Sequence, residues 1–297
     1  MATLKHIRTA TLDIAYEENG PPNGAPVLLM HGWPYDVRTY DAVVARLAAG
    51  GCRTLAPYLR GFGATRFLSR DKLRSGQQGA LGSDLRDFMD ALAIERAALV
   101  GYDWGGRAAC VVAALWPERV RCLVTGNGYN IQDLAVALMP AAPEQELKYW
   151  YQYYFQTERG RAGLTQNRRA LIKLLWRLWS PQWAFDDATF ERSAPSWDNP
   201  DFIDVTIHSY RHRYNNAPDD PAFVPIERRL AGQPSIAAPT IVLQGDVNGV
   251  SPELWSSYRG RFTGPAEERV FAGVGHNVPA EAPDEVARAV FDLLAST

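Results

Sequence analysis

The feature that most narrows the fold is a regular alternation of short apolar runs with helical patterns over the first 130 residues. "PVLLMHG" and "CRTLAPY" are continuous apolar runs of strand length ending in turn residues, as strands buried on both faces read. "RAALVGY" and "VRCLVTGNG" repeat the pattern. Between them lie "YDAVVARLAAGG", stopped by its glycine pair, and "GSDLRDFMDALAI", an amphipathic helix with Ser83 or Asp84 as the expected N-cap. "GRAACVVAALWPERV" is a buried helix ending near Pro117. Strands joined through helices cannot close as hairpins, so the alternation predicts an α/β fold: a mostly parallel sheet with helices on both faces. Ahead of it, "TATLDIAYEENG" alternates as a strand does and ends in the turn cluster "NGPPNGAP".

The pattern changes from about Asn130 to about Pro234, where strand signals all but vanish. "EQELKYWYQYYF", "GLTQNRRALIKLLWRLW" and "NPDFIDVTIHSYRHRYNN" read as helices dense in aromatics and arginine. Strand character resumes at "APTIVLQGD" and "ERVFAGVGH", and "DEVARAVFDLLAS" closes the chain as a helix. The simplest organisation is a core in two parts, residues 1–130 and 235–297, interrupted by a helical lid, 131–234, over the carboxyl ends of the strands.

Bulk chemistry excludes several roles. A formal net charge of −2 gives no polyanion-binding surface, so no nucleic-acid partner is expected. The three cysteines, Cys52, Cys110 and Cys122, sit singly among apolar residues, which predicts free buried thiols in a reducing compartment and no metal site. The chain has neither a run of 18 apolar residues nor an N-terminal apolar segment of signal-peptide length, so a cytoplasmic protein with no membrane span is expected.

Three stretches carry chemistry. Gly101-Tyr102-Asp103-Trp104-Gly105 has the small-x-nucleophile-x-small spacing of a sharp strand-to-helix turn, with glycines where side chains would clash. Such a turn holds Asp103 above the sheet at a helix N-terminus; the alternative is that Asp103 merely caps that helix. "LLMHGWPYD" places Trp33 after a core strand, and its N–H could join that of Trp104 in an oxyanion hole. His276, in "FAGVGHNVPAEAP", follows the last strand, completing the chain order nucleophile, acid, histidine.

HGWP, GYDWGG and GVGHNVP, with a helical insertion between the last two, resemble the α/β-hydrolase superfamily over essentially the whole chain. The aspartate narrows the resemblance to the epoxide hydrolase and dehalogenase branch. It implies an α/β-hydrolase fold with a cap, no cofactor, and Asp103 as the nucleophile. An ionised carboxylate attacks saturated carbon without activation, and His276 then activates water against the resulting ester. The resemblance also implies two lid tyrosines donating protons to the epoxide oxygen, placed at Tyr151 and Tyr210, with Tyr153, Tyr154 and Tyr214 as rivals. A small apolar or aromatic substrate and a monomer or homodimer are expected.

The acid that orients the histidine usually follows its strand as G-x-x-D. In "LQGDVNGVSP" that position is Asn248, while the nearest carboxylate is Asp246. Either could fill the place, and Asn127, in the loop after "RCLVTGNG", is again an amide. Tyr58 stands where relatives often carry Asp, and Arg60 is expected to be structural. Dehalogenation by the same nucleophile is the second reading, and a ligand-binding member with impaired catalysis the third.

Overall fold

A computed structural model of the chain describes residues 3–250 and 255–297. Strands β1 (Thr3–Arg8), β2 (Leu12–Asn19), β3 (Pro26–Met30), β4 (Arg53–Pro57), β5 (Arg66–Phe67), β6 (Ala97–Tyr102), β7 (Val120–Gly126), β8 (Thr240–Gly245) and β9 (Ala266–Phe271) form one sheet. Its order is β1-β2-β4-β3-β6-β7-β8-β9, with β5 paired to β2. β2 pairs antiparallel with β1, β4 and β5, whereas β4, β3, β6, β7, β8 and β9 run parallel. Apart from β9, an edge strand of mixed charged and apolar residues, the parallel strands are the apolar runs of the sequence, and β6 and β8 are buried along their whole length. This is the α/β-hydrolase architecture.

The winding reverses at β3, which lies between β4 and β6. A parallel sheet opens a crevice at the carboxyl ends of its strands where the order reverses. The loops after β3 and β6 line that crevice, and those after β7, β8 and β9 continue along it.

Helices Asp41–Ala49, Gln78–Ala91, Asp103–Leu115 and Pro283–Ala295 flank the sheet. The helix expected to be capped by Ser83 or Asp84 begins earlier, after Gln77, so neither residue caps it. Ser83 instead donates to the Gly79 carbonyl, and Asp84 is held by a bidentate ion pair to buried Arg60 at 2.6 and 2.7 Å. A long-range partner, invisible in a local window, outcompetes the cap. Arg60 is thereby structural.

Between β7 and β8 the described residues form helices Pro143–Lys148, Trp150–Tyr154, Glu158–Gln166, Arg168–Trp179, Asp187–Ser193, Phe202–Arg213 and Val224–Ala231. Two segments that read as continuous helices are each broken, at Tyr149 and at Asn167. The insertion is fastened to the core loops. Ser193 and Ser196 hydroxyls donate to the buried Asp36 carboxylate at 2.6 Å each, and Trp33 Nε1 donates to Thr206 at 3.0 Å. Among the described residues no helix is long and apolar enough to cross a membrane, and all three cysteines are free and buried.

Candidate active site

β6 ends at Tyr102 and a helix begins at Asp103, whose φ of +50° lies in the left-handed region that non-glycine residues rarely occupy. The glycines make the turn possible. A Cβ at Gly105 would fall 1.9 Å from the Met30 carbonyl oxygen, and one at Gly101 2.4 Å from that of Gly105. The turn brings Asp103 under the loop after β3. Its Oδ1 accepts the N–H groups of Trp33 at 2.8 Å and Trp104 at 2.7 Å. One donor comes from the first turn of its own helix and the other from a loop 70 residues away, more than helix capping requires. Two converging N–H groups at a helix N-terminus form an anion site, here filled by one carboxylate oxygen.

His31 fixes that loop. Its Nδ1 lies 3.0 Å from the Gly32 carbonyl and its Nε2 accepts the Leu59 N–H at 3.1 Å, an arrangement that needs the neutral ring. Burial pushes its pKa down to about 4.

His276 is buried, its backbone N–H held by the Trp179 carbonyl and the Ser180 hydroxyl at 3.1 and 3.0 Å. Its Nε2 faces the second Asp103 oxygen, Oδ2, at 3.8 Å. Burial pushes its pKa down to about 4; the Asp103 charge opposes the shift and Arg107 adds to it. The ring is therefore neutral at pH 7.

Asn127 Nδ2 stands 3.3 Å from His276 Nδ1 and 3.4 Å from the His276 carbonyl oxygen. Asn127 Oδ1 accepts from Asn248 Nδ2 at 2.8 Å, and Asn248 Oδ1 accepts the Val250 backbone N–H at 2.9 Å. A backbone N–H can only donate, so it fixes the polarity of the whole chain. Turning the Asn127 amide would set its oxygen against the His276 carbonyl and its NH2 against that of Asn248. His276 Nδ1 is thus an acceptor, and the ring proton sits on Nε2. Of the two positions considered for the acid, Asn248 joins this chain. Asp246 is exposed and accepts the Gly273 N–H at 2.7 Å, so the structure does not bring it to His276.

Tyr151 and Tyr210 are both buried, edge to face at 5.4 Å. Trp33 stacks on Tyr151 at 5.8 Å and meets Tyr210 edge-on at 5.1 Å. Tyr151 Oη accepts from Gln152 at 3.0 Å, and neither phenol donates to a protein acceptor among the described residues. The rivals are differently placed. Tyr153 is exposed and donates to Glu146, Tyr214 donates to Gln152 Oε1 at 2.9 Å, and the Tyr154 hydroxyl lies against Gly163. Burial raises the pKa of both Tyr151 and Tyr210, with Arg213 opposing, so both phenols keep their protons at pH 7.

Asp103, His276, Asn127, Asn248 and Tyr151 border a cavity of about 520 Å3 between the strand ends and the insertion. Arg107 borders it too, within a helix whose residues beyond it read as buried and apolar. Its signal was a lone charge in "GRAACVVAAL", one turn after Asp103.

The fold and this site define an α/β-hydrolase. The model of the alpha/beta hydrolase fold family matches residues 25–283, and the chain belongs to that family. It is similar over 98% of its length to the crystal structure of a protein from Klebsiella pneumoniae subsp. pneumoniae MGH 78578 described as a candidate epoxide hydrolase. The two share 46% identity and a TM-score of 0.96, with 97% of that chain covered. Part of the chain is 34% identical, over 125 residues, to a haloalkane dehalogenase of Mycobacterium marinum, covering 41% of this chain and 40% of that protein. Another match is 29% identical over 150 residues to human epoxide hydrolase 4, covering 48% of this chain and 38% of that protein. The chain thus spans about two-fifths of the length of these curated relatives.

Proposed function

We propose that the protein hydrolyses an epoxide to a vicinal diol through an ester on Asp103, with residues 131–234 as the cap. The observation that carries this reading is the pair of buried phenols, Tyr151 and Tyr210, whose protons have no protein acceptor among the described residues. A ring-opening reaction needs a proton for the departing alkoxide, and a neutral phenol supplies one.

The oxygens of Asp103 divide the work. Oδ1 is held by the Trp33 and Trp104 N–H groups, so Oδ2 is free to attack the epoxide carbon. The ester carbonyl oxygen is then Oδ1, already between the two donors that must stabilise its negative charge when water adds. His276 takes the proton from that water at Nε2. This requires the proton on Nδ1 instead, the tautomer that the Asn127–Asn248 chain disfavours, so ester hydrolysis is the slow half-reaction.

Dehalogenation is the second reading. The buried Trp104 Nε1–H has no hydrogen-bond partner among the described residues and is suited to a halide, and one relative is a haloalkane dehalogenase. Supplying styrene oxide and 1-bromobutane in parallel separates the two, by diol or by bromide released. A single turnover in H2(18)O with enzyme in excess tests the mechanism. Label is expected in Asp103, with unlabelled diol; label passing straight into the first diol would overturn the ester route. Binding of both compounds without turnover would favour a ligand-binding role.

A further inference from the structure

We propose that the cavity beside Asp103 takes an anionic substrate, an epoxide bearing a carboxylate on or next to the ring, clamped between Arg107 and Arg213. The inference rests on the epoxide reading above and supplies its substrate class.

Arg107 is only 7% exposed, borders the cavity, and makes no side-chain hydrogen bond or ion pair among the described residues. A buried guanidinium without a carboxylate is costly, and buried arginines are normally paired. Arg60 shows the ordinary case in this same chain, with its bidentate Asp84. Arg213 borders the cavity as well, with its guanidinium 5.3 Å from the Tyr210 ring centre. Among the described residues it is held by neutral groups only. Gln152 Oε1 accepts from it at 2.7 Å, and the Gln132 amide oxygen, in the orientation that satisfies both residues, accepts at 2.7 and 2.8 Å. Among the described residues neither arginine has a carboxylate in contact. Burial pushes the Arg107 pKa down to about 10, and the charge of Arg213 adds to the shift while that of Asp103 opposes it, so Arg107 stays cationic at pH 7.

Of the carboxylates bordering the cavity, Asp133 accepts the N–H groups of Ala135 and Val136, and Glu146 accepts from Tyr153 and Ala141. Asp103 Oδ1 is engaged by Trp33 and Trp104, and the Asp103 charge favours the Arg107 cation without a hydrogen bond or ion pair to it. Two guanidiniums with no carboxylate in contact among the described residues make a pair of sites for a carboxylate, which accepts such donors in a bidentate manner. Arg107 follows Asp103 by one helical turn, a Cβ separation of about 5–6 Å. Both residues border the same cavity and the Asp103 charge acts on Arg107, so a carboxylate held at Arg107 lies beside the nucleophile.

The test compares 3-phenylglycidate with its methyl ester and its primary amide, three versions of one epoxide differing in charge. The acid is expected to have a kcat/KM at least about tenfold above both neutral forms, shrinking as sodium chloride is added. R107M and R213M are each expected to reduce that acid-to-ester ratio at least about tenfold, through KM. Equal turnover of acid and ester by the unaltered protein, or a ratio unmoved by R107M, would overturn the proposal. Binding is read independently of turnover by calorimetry with phenylacetate and phenylacetamide. Tighter binding of the acid to the unaltered protein, lost in R107M, supports the anion site even if no epoxide is opened. Equal affinities overturn it even if epoxides are opened.

Discussion

His276 Nδ1 faces the side-chain NH2 of Asn127 at 3.3 Å, and among the described residues no carboxylate lies behind it. Asn248 and the Val250 N–H hold that amide in its orientation, so the imidazole presents a proton, not a lone pair, toward Asp103. Asn127→Asp replaces a donor by an acceptor at Nδ1 while keeping the oxygen that Asn248 grips. It should place the proton on Nδ1, free Nε2, and speed hydrolysis of the Asp103 ester by about tenfold or more. Decay of the adduct, followed by intact-protein mass after a single turnover, measures this. Asn248→Asp should act in the same direction and less strongly, because Asn127 must turn to pass the effect on. Unchanged decay in both variants would remove the chain from the mechanism.

The pH profile follows from burial of the base. A base works when deprotonated, and His276 is pushed down to about 4 from an ordinary value near 6.5. In the ester the Asp103 charge that opposes this shift is gone, so the acid limb of ester hydrolysis is expected at or below pH 4. An anion beside the ring favours the imidazolium, so Asn127→Asp should move that limb upward. Single-turnover rates from pH 3.5 to 8 in both proteins check the two positions. A limb near pH 6.5 in the unaltered protein would contradict the burial argument.

The phenols should separate epoxides from halides. Tyr210→Phe and Tyr151→Phe each remove one proton donor while leaving the ring packed on Trp33. Either change is expected to slow ester formation from an epoxide by about tenfold to a hundredfold, with a smaller effect on formation from a bromoalkane, whose leaving group needs no proton. Stopped-flow quenching of tryptophan fluorescence reports the first step. Equal losses on both substrates would show the tyrosines to be packing groups.

Asp36 joins the loop after β3 to the insertion through Ser193 and Ser196. Asp36→Ala leaves both hydroxyls without their acceptor in a buried seam, at a cost of about 2–4 kcal/mol. Urea unfolding should show a lower midpoint. Because Trp33 belongs to the same loop, KM is expected to rise as well.

Much of the frame is legible in the residues because its causes are local. Apolar runs of five to seven residues bounded by turns leave little choice but buried strands, and Gly101 and Gly105 announce a turn where backbone meets backbone. Helix limits in the insertion were less legible. The breaks at Tyr149 and Asn167 interrupt patterns whose periodicity continues across them, since the aromatic face packs on the core in separate short helices. The cap expected at Ser83 or Asp84 failed because Arg60, distant in sequence, claims Asp84.

The amino-acid sequence by itself determined the alternating fold, the turn that lifts Asp103 above the sheet and the position of His276 after the last strand. Each depends on residues adjacent in the chain. Only the tertiary structure decided between Asp246 and Asn248, two residues apart on one loop, because the choice rests on which side chain turns inward. It also decided the polarity of the amide chain, set by the Val250 backbone N–H, and the isolation of Arg107. Whether a charge is compensated is a property of its surroundings, and those are assembled from segments more than a hundred residues apart.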